Sequence, residues 1–338
     1  MGKLYAFLAL SFIFLFIINI IFASLTIYAW VTDGIQDLLI GMELGERIES
    51  SNQIKWIILA DITWLFFALV FLLKRKHYRT NSSDYLSSNI IKKRKITVVI
   101  PAYNEENNVE SIITDYKSQK NVENIIVVDN HSSDNTVQIA KKMGAIIVEK
   151  ESNKGFADSC LMGLKKSLET DANIIVLTEC DGTYAGHDIE KLVPFLDECD
   201  VAIGSRLIQV LTEKGNQNGM FNTWGNFFLA KLIQIKYFSL LHMGIVSFTD
   251  VGCTFRCIRR EALEKIIDGM INDYKKNIDT DGWLFLPYFN MIGIEKELKI
   301  IEVPITFKKR HGKSKSQVNR KHKGIMYGLK FMWFIIKT

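Results

Sequence analysis

Two carboxylates one residue apart follow a short apolar run near the middle of the chain. The stretch "IIVLTECDGTY", residues 174–184, carries Glu179 and Asp181 directly after four apolar residues. Carboxylates and the oxygens of a phosphorylated ligand form the all-oxygen shell that Mg²⁺ and Mn²⁺ prefer. We predict Asp181 as a metal ligand, and Glu179 either joins the shell or binds a ribose hydroxyl. The alternative is a solvated acidic turn at the end of a buried strand.

This run is one of five β-branched runs that alternate with helix-like segments. Continuous apolar strands that alternate with helices predict a mostly parallel sheet with helices on both faces. In such sheets ligands bind beyond the carboxyl ends of the strands, so the polar residues there are candidates for a site. The expected strands are residues 96–100, 124–128, 145–149, 173–177 and 201–204, and the expected helices are residues 106–119, 135–143, 156–169 and 188–198.

Polar residues after two other expected strands suit a nucleotide. Asp129 would accept a hydrogen bond from a base or a ribose, with an Asx turn or a helix cap in "DNHSSDNT" as the alternative. Lys154 follows the third expected strand and is a further candidate for contact with the same ligand. The chain has no Gly-x-Gly-x-x-Gly motif and no Walker-type loop, which argues against ordinary dinucleotide and P-loop folds.

Basic residues cluster late in the chain, and guanidinium and ammonium groups suit phosphate oxygens. For the stretch "KKRHGKSKSQVNRKHK", residues 308–323, contact with anionic lipid is the alternative, and we expect it for residues 318–323. The net charge of +5 is mild and does not indicate a nucleic-acid partner. The candidates for phosphate contact are Arg206, Arg256, Arg310, Lys313 and Lys315.

Two long apolar runs precede the α/β region. Residues 4–32 contain no charged side chain, and residues 54–73 are broken mainly by Lys55 and Asp61. Each run is long enough for the roughly 20 residues that cross a bilayer, whereas a signal peptide has an apolar core of only about 7–15 residues. The segment between the runs is acidic, and the basic "KRKHYR" follows the second run. Because positive charge marks the cytoplasmic side, we expect a multi-pass protein of the cell membrane whose remaining chain is cytoplasmic.

The composition, with 48% hydrophobic and 23% charged residues, predicts a globular core. Five scattered cysteines, an odd number, indicate reduced thiols. The apolar stretches 227–246 and 325–336 are expected to lie in the lipid interface, with buried core helices as the alternative. The expected organisation is a two-helix transmembrane anchor (1–79), a linker (80–95), a catalytic α/β domain (96–316) and a basic, amphipathic tail (317–338).

Taken together, the motifs resemble those of a family 2 glycosyltransferase of the GT-A fold. Within that family the chain is similar to the polyprenyl-phosphate branch, which includes dolichyl-phosphate mannose synthases. The resemblance covers about residues 96–335 and implies transfer of one sugar from a UDP- or GDP-sugar to dolichyl or undecaprenyl phosphate, with inversion and with Mg²⁺ or Mn²⁺. The motifs are "VVIPAYNEE", "VVDNHSSDNT", "ECDGTY", "IGSRL", "TDVGCTFRCIRREAL", "EVPITFKKRHGKSK" and the closing amphipathic stretch.

The resemblance also implies roles for individual side chains. Glu179 and Asp181 occupy the two acidic positions of the metal motif, although the first position usually holds Asp. Asn222 stands where relatives often have Arg, and the expected spans precede the catalytic domain instead of following it. The implied nucleotide-pocket residues are Pro101, Tyr103, Glu105 and Asp129, and the implied contacts of the donor diphosphate and the acceptor phosphate are Arg206, Arg256, Arg310, Lys313 and Ser314.

The nature of the acceptor decides whether a general base is needed. A lipid phosphate is already an anion and attacks the anomeric carbon without losing a proton, whereas a hydroxyl acceptor requires a base. Asp279 and Asp281 in "NIDTDGW" are the acids that we nominate for that role. The predicted catalytic residues are Asp181, Arg206, Arg256 and Asp281.

Three other functions fit parts of the sequence. A processive polysaccharide synthase, which extends a hydroxyl acceptor, usually carries Gln-x-x-Arg-Trp, whereas "QVNRK" here lacks the Trp. A sugar-1-phosphate nucleotidyltransferase would show a Gly-rich motif after its first strand, and this chain lacks that motif. A membrane protein that binds nucleotide sugars without catalysis is the third alternative, and loss of metal binding would favour it.

Overall fold

The computed structural model describes residues 88–237, 248–277, 284–312 and 321–337, with isolated helical residues between positions 11 and 25 and between 55 and 66. The chain divides into two units. One comprises Met1–His77, Ile235–Met243 and Ile336–Thr338, and the other comprises Tyr78–Gln234 and Gly244–Ile335. Every candidate site residue that the structure describes belongs to the second unit.

Seven strands form one mixed sheet in the second unit: β1 (Ile96–Ala102), β2 (Val122–Asp129), β3 (Ile146–Glu149), β4 (Ile174–Leu177), β5 (Val201–Ser205), β6 (Arg256–Arg259) and β7 (Ile300–Pro304). Their order is β3-β2-β1-β4-β6-β5-β7. β6 is antiparallel to both its neighbours, and every other pairing is parallel. The mostly parallel Rossmann-like sheet is therefore confirmed, although the sequence analysis identified only β1 to β5.

Four described helices flank this sheet at the positions that the alternating pattern predicted, and four more follow later in the chain. The first helix shows why the pattern works, because it buries Val109, Ile112, Ile113 and Tyr116 at helical spacing. The helices are α1 (Val109–Lys117), α2 (Thr136–Lys142), α3 (Phe156–Ser167), α4 (Ile189–Leu192), α5 (Met220–Lys236), α6 (Arg260–Asn277), α7 (Phe285–Glu295) and α8 (Lys321–Lys337).

The direction of the strands places distant segments at one edge of the sheet. β1, β2 and β4 end at this edge, with Ala102 paired to Asp129. Because β6 runs the other way, the residues before it lie at the same edge. β7 is parallel to β5, so the segment after β7 also begins there. The mixed topology thus brings together the chain near residues 103, 130, 180, 206, 252 and 308.

The expectation of two transmembrane helices is wrong for the part of the chain that the structure describes. Runs 4–32 and 54–73 lie largely outside the described residues, and no described helix is long and apolar enough to cross a membrane. A span requires roughly 20 consecutive apolar helical residues.

Close packing of α3 on the sheet depends on Gly163. A Cβ atom at this position would lie 2.4 Å from Val99 Cγ1 and 2.7 Å from Val128 Cγ2. We expect Gly163→Ala to lower the free energy of unfolding by about 1–3 kcal/mol, because overpacking outweighs the gain in helix propensity. Urea denaturation measures the change.

Gly269 in α6 is the matched control, because a Cβ there would meet nothing within 4 Å. Gly269→Ala should raise stability by about 0.5–1 kcal/mol through helix propensity. A Gly163→Ala variant as stable as the wild type would contradict the packing of α3 on β1 and β2.

Candidate active site

The turn after β4 fixes the orientation of Asp181. Gly182 has a φ angle of +76°, which residues with a Cβ atom rarely adopt. This backbone conformation allows the chain to reverse direction after Asp181. Asp181 Oδ1 accepts hydrogen bonds from the backbone N of Thr183 at 3.0 Å and from Thr183 Oγ1 at 2.6 Å. Upstream, Thr178 is buried and hydrogen-bonds the Tyr116 hydroxyl on α1 at 2.6 Å. The turn is therefore anchored on both sides of the acid pair.

Glu179 lies beside Asp181 and is held by the loop that precedes β6. Its Oε1 accepts a hydrogen bond from Thr254 Oγ1 at 2.5 Å. Burial, together with the negative charge of Asp181, raises the pKa of Glu179 to about 7, against the opposing effects of Thr254 and Arg310. The two acids of the motif are thus close enough to interact electrostatically, as the sequence predicted only from their spacing.

Arg310 bridges the two carboxylates. Its Nη2 lies 2.5 Å from Asp181 Oδ2 and 3.5 Å from Glu179 Oε2. The sequence analysis predicted a phosphate contact for this residue. In the structure its guanidinium lies on the acid pair, where it offsets part of their charge, and the phosphate contact stays a prediction.

Residues 306–312 form a strap that runs across the acid turn. The backbone N of Lys308 donates to Thr183 O at 2.8 Å, and the backbone N of His311 donates to Asp181 O at 2.9 Å. Phe307 packs on Tyr184 with their ring centroids 5.9 Å apart. The strap therefore fixes where Arg310 reaches the carboxylates.

Asp129 ends β2 with one oxygen engaged and one oxygen unpaired. Its Oδ2 accepts a hydrogen bond from the backbone N of Ser132 at 3.0 Å, which is the Asx turn considered from the sequence. Its Oδ1 is buried and has no hydrogen-bond partner among the described residues. A buried acceptor without a partner is costly, so Oδ1 is available to a ligand donor.

The loops after β1 and β2 are joined beside Asp129. Asn104 N donates to Ser132 Oγ at 2.9 Å, and Asn104 Oδ1 accepts from the backbone N of Ser133 at 2.8 Å. Glu105 N donates to Thr136 Oγ1 at 2.8 Å. These contacts bring the predicted pocket residues Pro101, Tyr103, Glu105 and Asp129 to one end of the β1–β2 pair.

The loop after β3 is fixed by Lys150, which the sequence analysis missed. Its buried Nζ lies 2.6 Å from Asp158 Oδ2 and 2.7 Å from Asn130 Oδ1. The predicted residue Lys154 is exposed, and its backbone N donates to Asn130 Oδ1 at 3.2 Å. Lys150 thus ties this loop to the residue next to Asp129.

Arg206 follows β5 and is clamped by Asp250. Its Nε and Nη2 each lie 2.7 Å from an oxygen of Asp250, and its guanidinium lies 5.3 Å from the centroid of the Phe307 ring. Glu302 on β7 accepts hydrogen bonds from the backbone N of Asp250 at 3.0 Å and from Thr249 Oγ1 at 2.6 Å. Neither acid was predicted, although both lie within motifs quoted above.

Arg256 is wholly buried at the start of β6. Its Nη2 donates to Cys253 O at 2.6 Å and its Nε donates to Thr254 O at 3.2 Å, while its guanidinium lies 4.5 Å from the centroid of the Phe289 ring. Burial lowers its pKa to about 10. Arg256 therefore orients the Thr254 loop beneath Glu179, and its expected phosphate contact stays a prediction.

Five predicted residues lie outside the described part of the chain, so their positions are not given by the structure. They are Asp279, Asp281, Lys313, Ser314 and Lys315.

Comparisons with known proteins agree with these motifs. The sequence profile of Glycosyl transferase family 2 matches residues 97–267, just over half of the 338 residues. Polyprenol monophosphomannose synthase of Mycolicibacterium smegmatis is 28% identical over 224 residues, which are 64% of this chain and 78% of that protein. Dolichyl-phosphate beta-glucosyltransferase of Saccharomyces cerevisiae is 26% identical over 239 residues, which are 63% of this chain and 66% of that protein.

Among solved structures, glucosyl-3-phosphoglycerate synthase of Mycobacterium tuberculosis, crystallised with Mn²⁺, UDP-glucose and phosphoglyceric acid, is 18% identical with a TM-score of 0.47. The similarity covers 72% of this chain and 80% of that one. A likeness of this size adds nothing to the family assignment, which rests on the sequence match. The chain belongs to glycosyl transferase family 2 and is a glycosyltransferase, as its motifs predicted.

Proposed function

We propose that this enzyme transfers one sugar from a nucleotide sugar to a polyprenyl phosphate at a membrane surface. The observation that carries the proposal is the convergence of Glu179 and Asp181 on one cationic group at the carboxyl end of β4. This geometry shows that both carboxylates face a common point. Two relatives, a polyprenol monophosphomannose synthase and a dolichyl-phosphate beta-glucosyltransferase, support the lipid acceptor.

The donor nucleotide fits the end of the β1–β2 pair. The unpaired Oδ1 of Asp129 accepts a hydrogen bond from an N–H of the base or from a hydroxyl of the ribose. The loops that hold Asp129 are tied by hydrogen bonds, so this acceptor is in place before the ligand arrives. The diphosphate then extends from Asp129 toward the acid pair on β4, across the intervening strand β1.

A divalent cation fits the acid pair. Glu179 and Asp181 supply carboxylate oxygens, and no group of three or more His, Cys, Asp or Glu side chains in the described ranges could hold a metal by itself. Diphosphate oxygens would supply further ligands of the kind that Mg²⁺ and Mn²⁺ prefer. When bound, such an ion offsets negative charge on the departing nucleoside diphosphate.

A phosphate acceptor needs no general base, and this agrees with the engagement of Asp250 by Arg206. Asp250 makes two hydrogen bonds to Arg206, so it is not available as a general base. A phosphate oxygen forms the new bond to the anomeric carbon while the bond from that carbon to the diphosphate oxygen breaks. The nucleoside diphosphate leaves with the electron pair, and a single displacement inverts the anomeric centre. Arg206 stabilises the phosphate charge beside this step.

Two observations support a membrane surface in the cytoplasm as the location. α8 exposes Met326, Leu329 and Trp333 on one side, at a spacing that suits the lipid interface. All five cysteines are free and buried, in accord with a reducing compartment.

The substrate classes are tested with a panel. Purified enzyme is supplied with polyprenyl phosphate in vesicles, Mg²⁺ or Mn²⁺, and radiolabelled UDP- and GDP-sugars. We expect one donor to give labelled lipid that requires both the metal and the phosphate head group. Polyprenol without the phosphate is the matched acceptor. Extension of a soluble glycan with no labelled lipid would show a hydroxyl-acceptor enzyme instead.

The role of the acid pair is tested with Asp181→Asn, which keeps the shape of the side chain and removes its charge. Loss of metal stabilisation worth several kcal/mol lowers kcat by about a thousandfold. Asp268→Asn on the exposed face of α6 is the control and should leave kcat unchanged. An Asp181→Asn enzyme with more than a tenth of the wild-type kcat would exclude Asp181 as a metal ligand.

A further inference from the structure

Arg310 occupies the point to which both carboxylates of the acid turn are directed. It lies 2.5 Å from Asp181 and 3.5 Å from Glu179, and the three side chains are largely buried, with exposed fractions of 22% for Arg310, 8% for Asp181 and 23% for Glu179. Ion pairs screened from water are stronger than surface pairs. Part of the negative charge of the acid pair is therefore offset by a residue of the chain itself.

The strap of residues 306–312 holds Arg310 at this point. Backbone hydrogen bonds from Lys308 to Thr183 and from His311 to Asp181 lie on either side of Arg310 in sequence. The His311 ring covers Gly182 so closely that a Cβ on Gly182 would lie 2.8 Å from His311 Nδ1. The backbone from which the Arg310 side chain extends is thus fixed by hydrogen bonds on both sides.

We infer that Arg310 is an internal competitor of the divalent cation, and that it leaves the acid pair when the metal and the nucleotide bind. The inference rests on the proposed function, because it takes the metal–nucleotide donor to bind at Glu179 and Asp181. A metal ligand oxygen lies about 2.1 Å from Mg²⁺. A cation at that distance from Asp181 Oδ2 would be repelled by the guanidinium nitrogen that lies 2.5 Å from the same oxygen.

Displacement gives Arg310 a second role. The guanidinium that leaves the carboxylates carries its charge into a site that receives a diphosphate and an acceptor phosphate, which are bidentate partners for Arg. Metal alone breaks the internal ion pair without offering Arg310 a replacement. Metal with a nucleoside diphosphate breaks the same pair and supplies one. The strap therefore couples metal binding to nucleotide binding, and this coupling is reciprocal.

The coupling is measured by Mn²⁺ binding to the full chain, using the electron paramagnetic resonance signal of free Mn²⁺, with no acceptor present. We expect Arg310→Ala to bind Mn²⁺ alone tenfold more tightly than the wild type, which corresponds to about 1.4 kcal/mol. UDP or GDP should tighten Mn²⁺ binding strongly in the wild type and less in Arg310→Ala. Lys309→Ala, which removes the adjacent exposed cation, should behave as the wild type.

Two further variants keep the test decisive. Arg310→Lys retains a cation and should keep weak Mn²⁺ binding. Adding Asp181→Asn to Arg310→Ala should abolish the tighter binding, because the site is then lost. Hydrogen exchange gives a second readout: the amides of Lys308 and His311 should exchange faster when Mn²⁺ and nucleotide are bound to the wild type.

Mn²⁺ affinity that is unchanged or weaker in Arg310→Ala, with the wild-type denaturation midpoint retained, would overturn the inference. So would tighter binding that persists in the Asp181→Asn double variant. These results are independent of the proposed acceptor. A normal Mn²⁺ response without sugar transfer to polyprenyl phosphate would count against the proposed function and not against the competition.

Discussion

Charge balance at the carboxyl end of β4 is the constraint around which the rest of the site is arranged. Two carboxylates share one turn that is shielded from water, and burial and mutual repulsion raise the pKa of Glu179. The two carboxylates are stabilised by an ion pair with Arg310 of the strap and by hydrogen bonds from the hydroxyl groups of Thr183 and Thr254. Because each of these groups comes from a different segment, the acid pair ties together the turn, the loop before β6 and the strap after β7.

The antiparallel strand β6 makes this arrangement possible. A parallel strand between β4 and β5 would carry its preceding loop to the opposite edge of the sheet. With β6 reversed, Asp250 and Thr254 both lie where β4 and β5 end. Asp250 then clamps Arg206, Glu302 on β7 holds Asp250 in turn, and buried Arg256 holds the carbonyl of Thr254. Arg206 and Arg310 are thus held by partners that are far apart from them in the chain, whereas Arg256 is held by the loop directly before it.

The strands of the sheet differ in how well the sequence predicted them. The runs that became β1 to β5 are continuous and apolar, since strands covered on both faces leave little room for polar residues. β6 was not predicted, because two of its four residues are the charged Arg256 and Arg259 and the strand is therefore not a continuous apolar run. Both arginines are nevertheless largely buried. The apolar runs near the N-terminus predicted membrane spans by composition, but within the described residues no helix meets the length and apolarity that a span requires. Lys150 was not predicted from the sequence, and only its contacts with Asp158 and Asn130 show that it fixes the loop after β3.

The sequence by itself determined the alternation of strands and helices, the acid pair after the fourth strand, the polar end of the second strand and the family. These features are local, since they depend on the period of apolar residues and on which side chains follow each run. Only the tertiary structure decided that Arg310 lies on the acid pair, that Arg256 supports a loop, and that Asp250 and Glu302 position Arg206. The contacts of Arg310, Asp250 and Glu302 depend on the order and direction of strands in the sheet. Hydrophobic periodicity does not encode that order, because it is set by packing between segments that are distant along the chain.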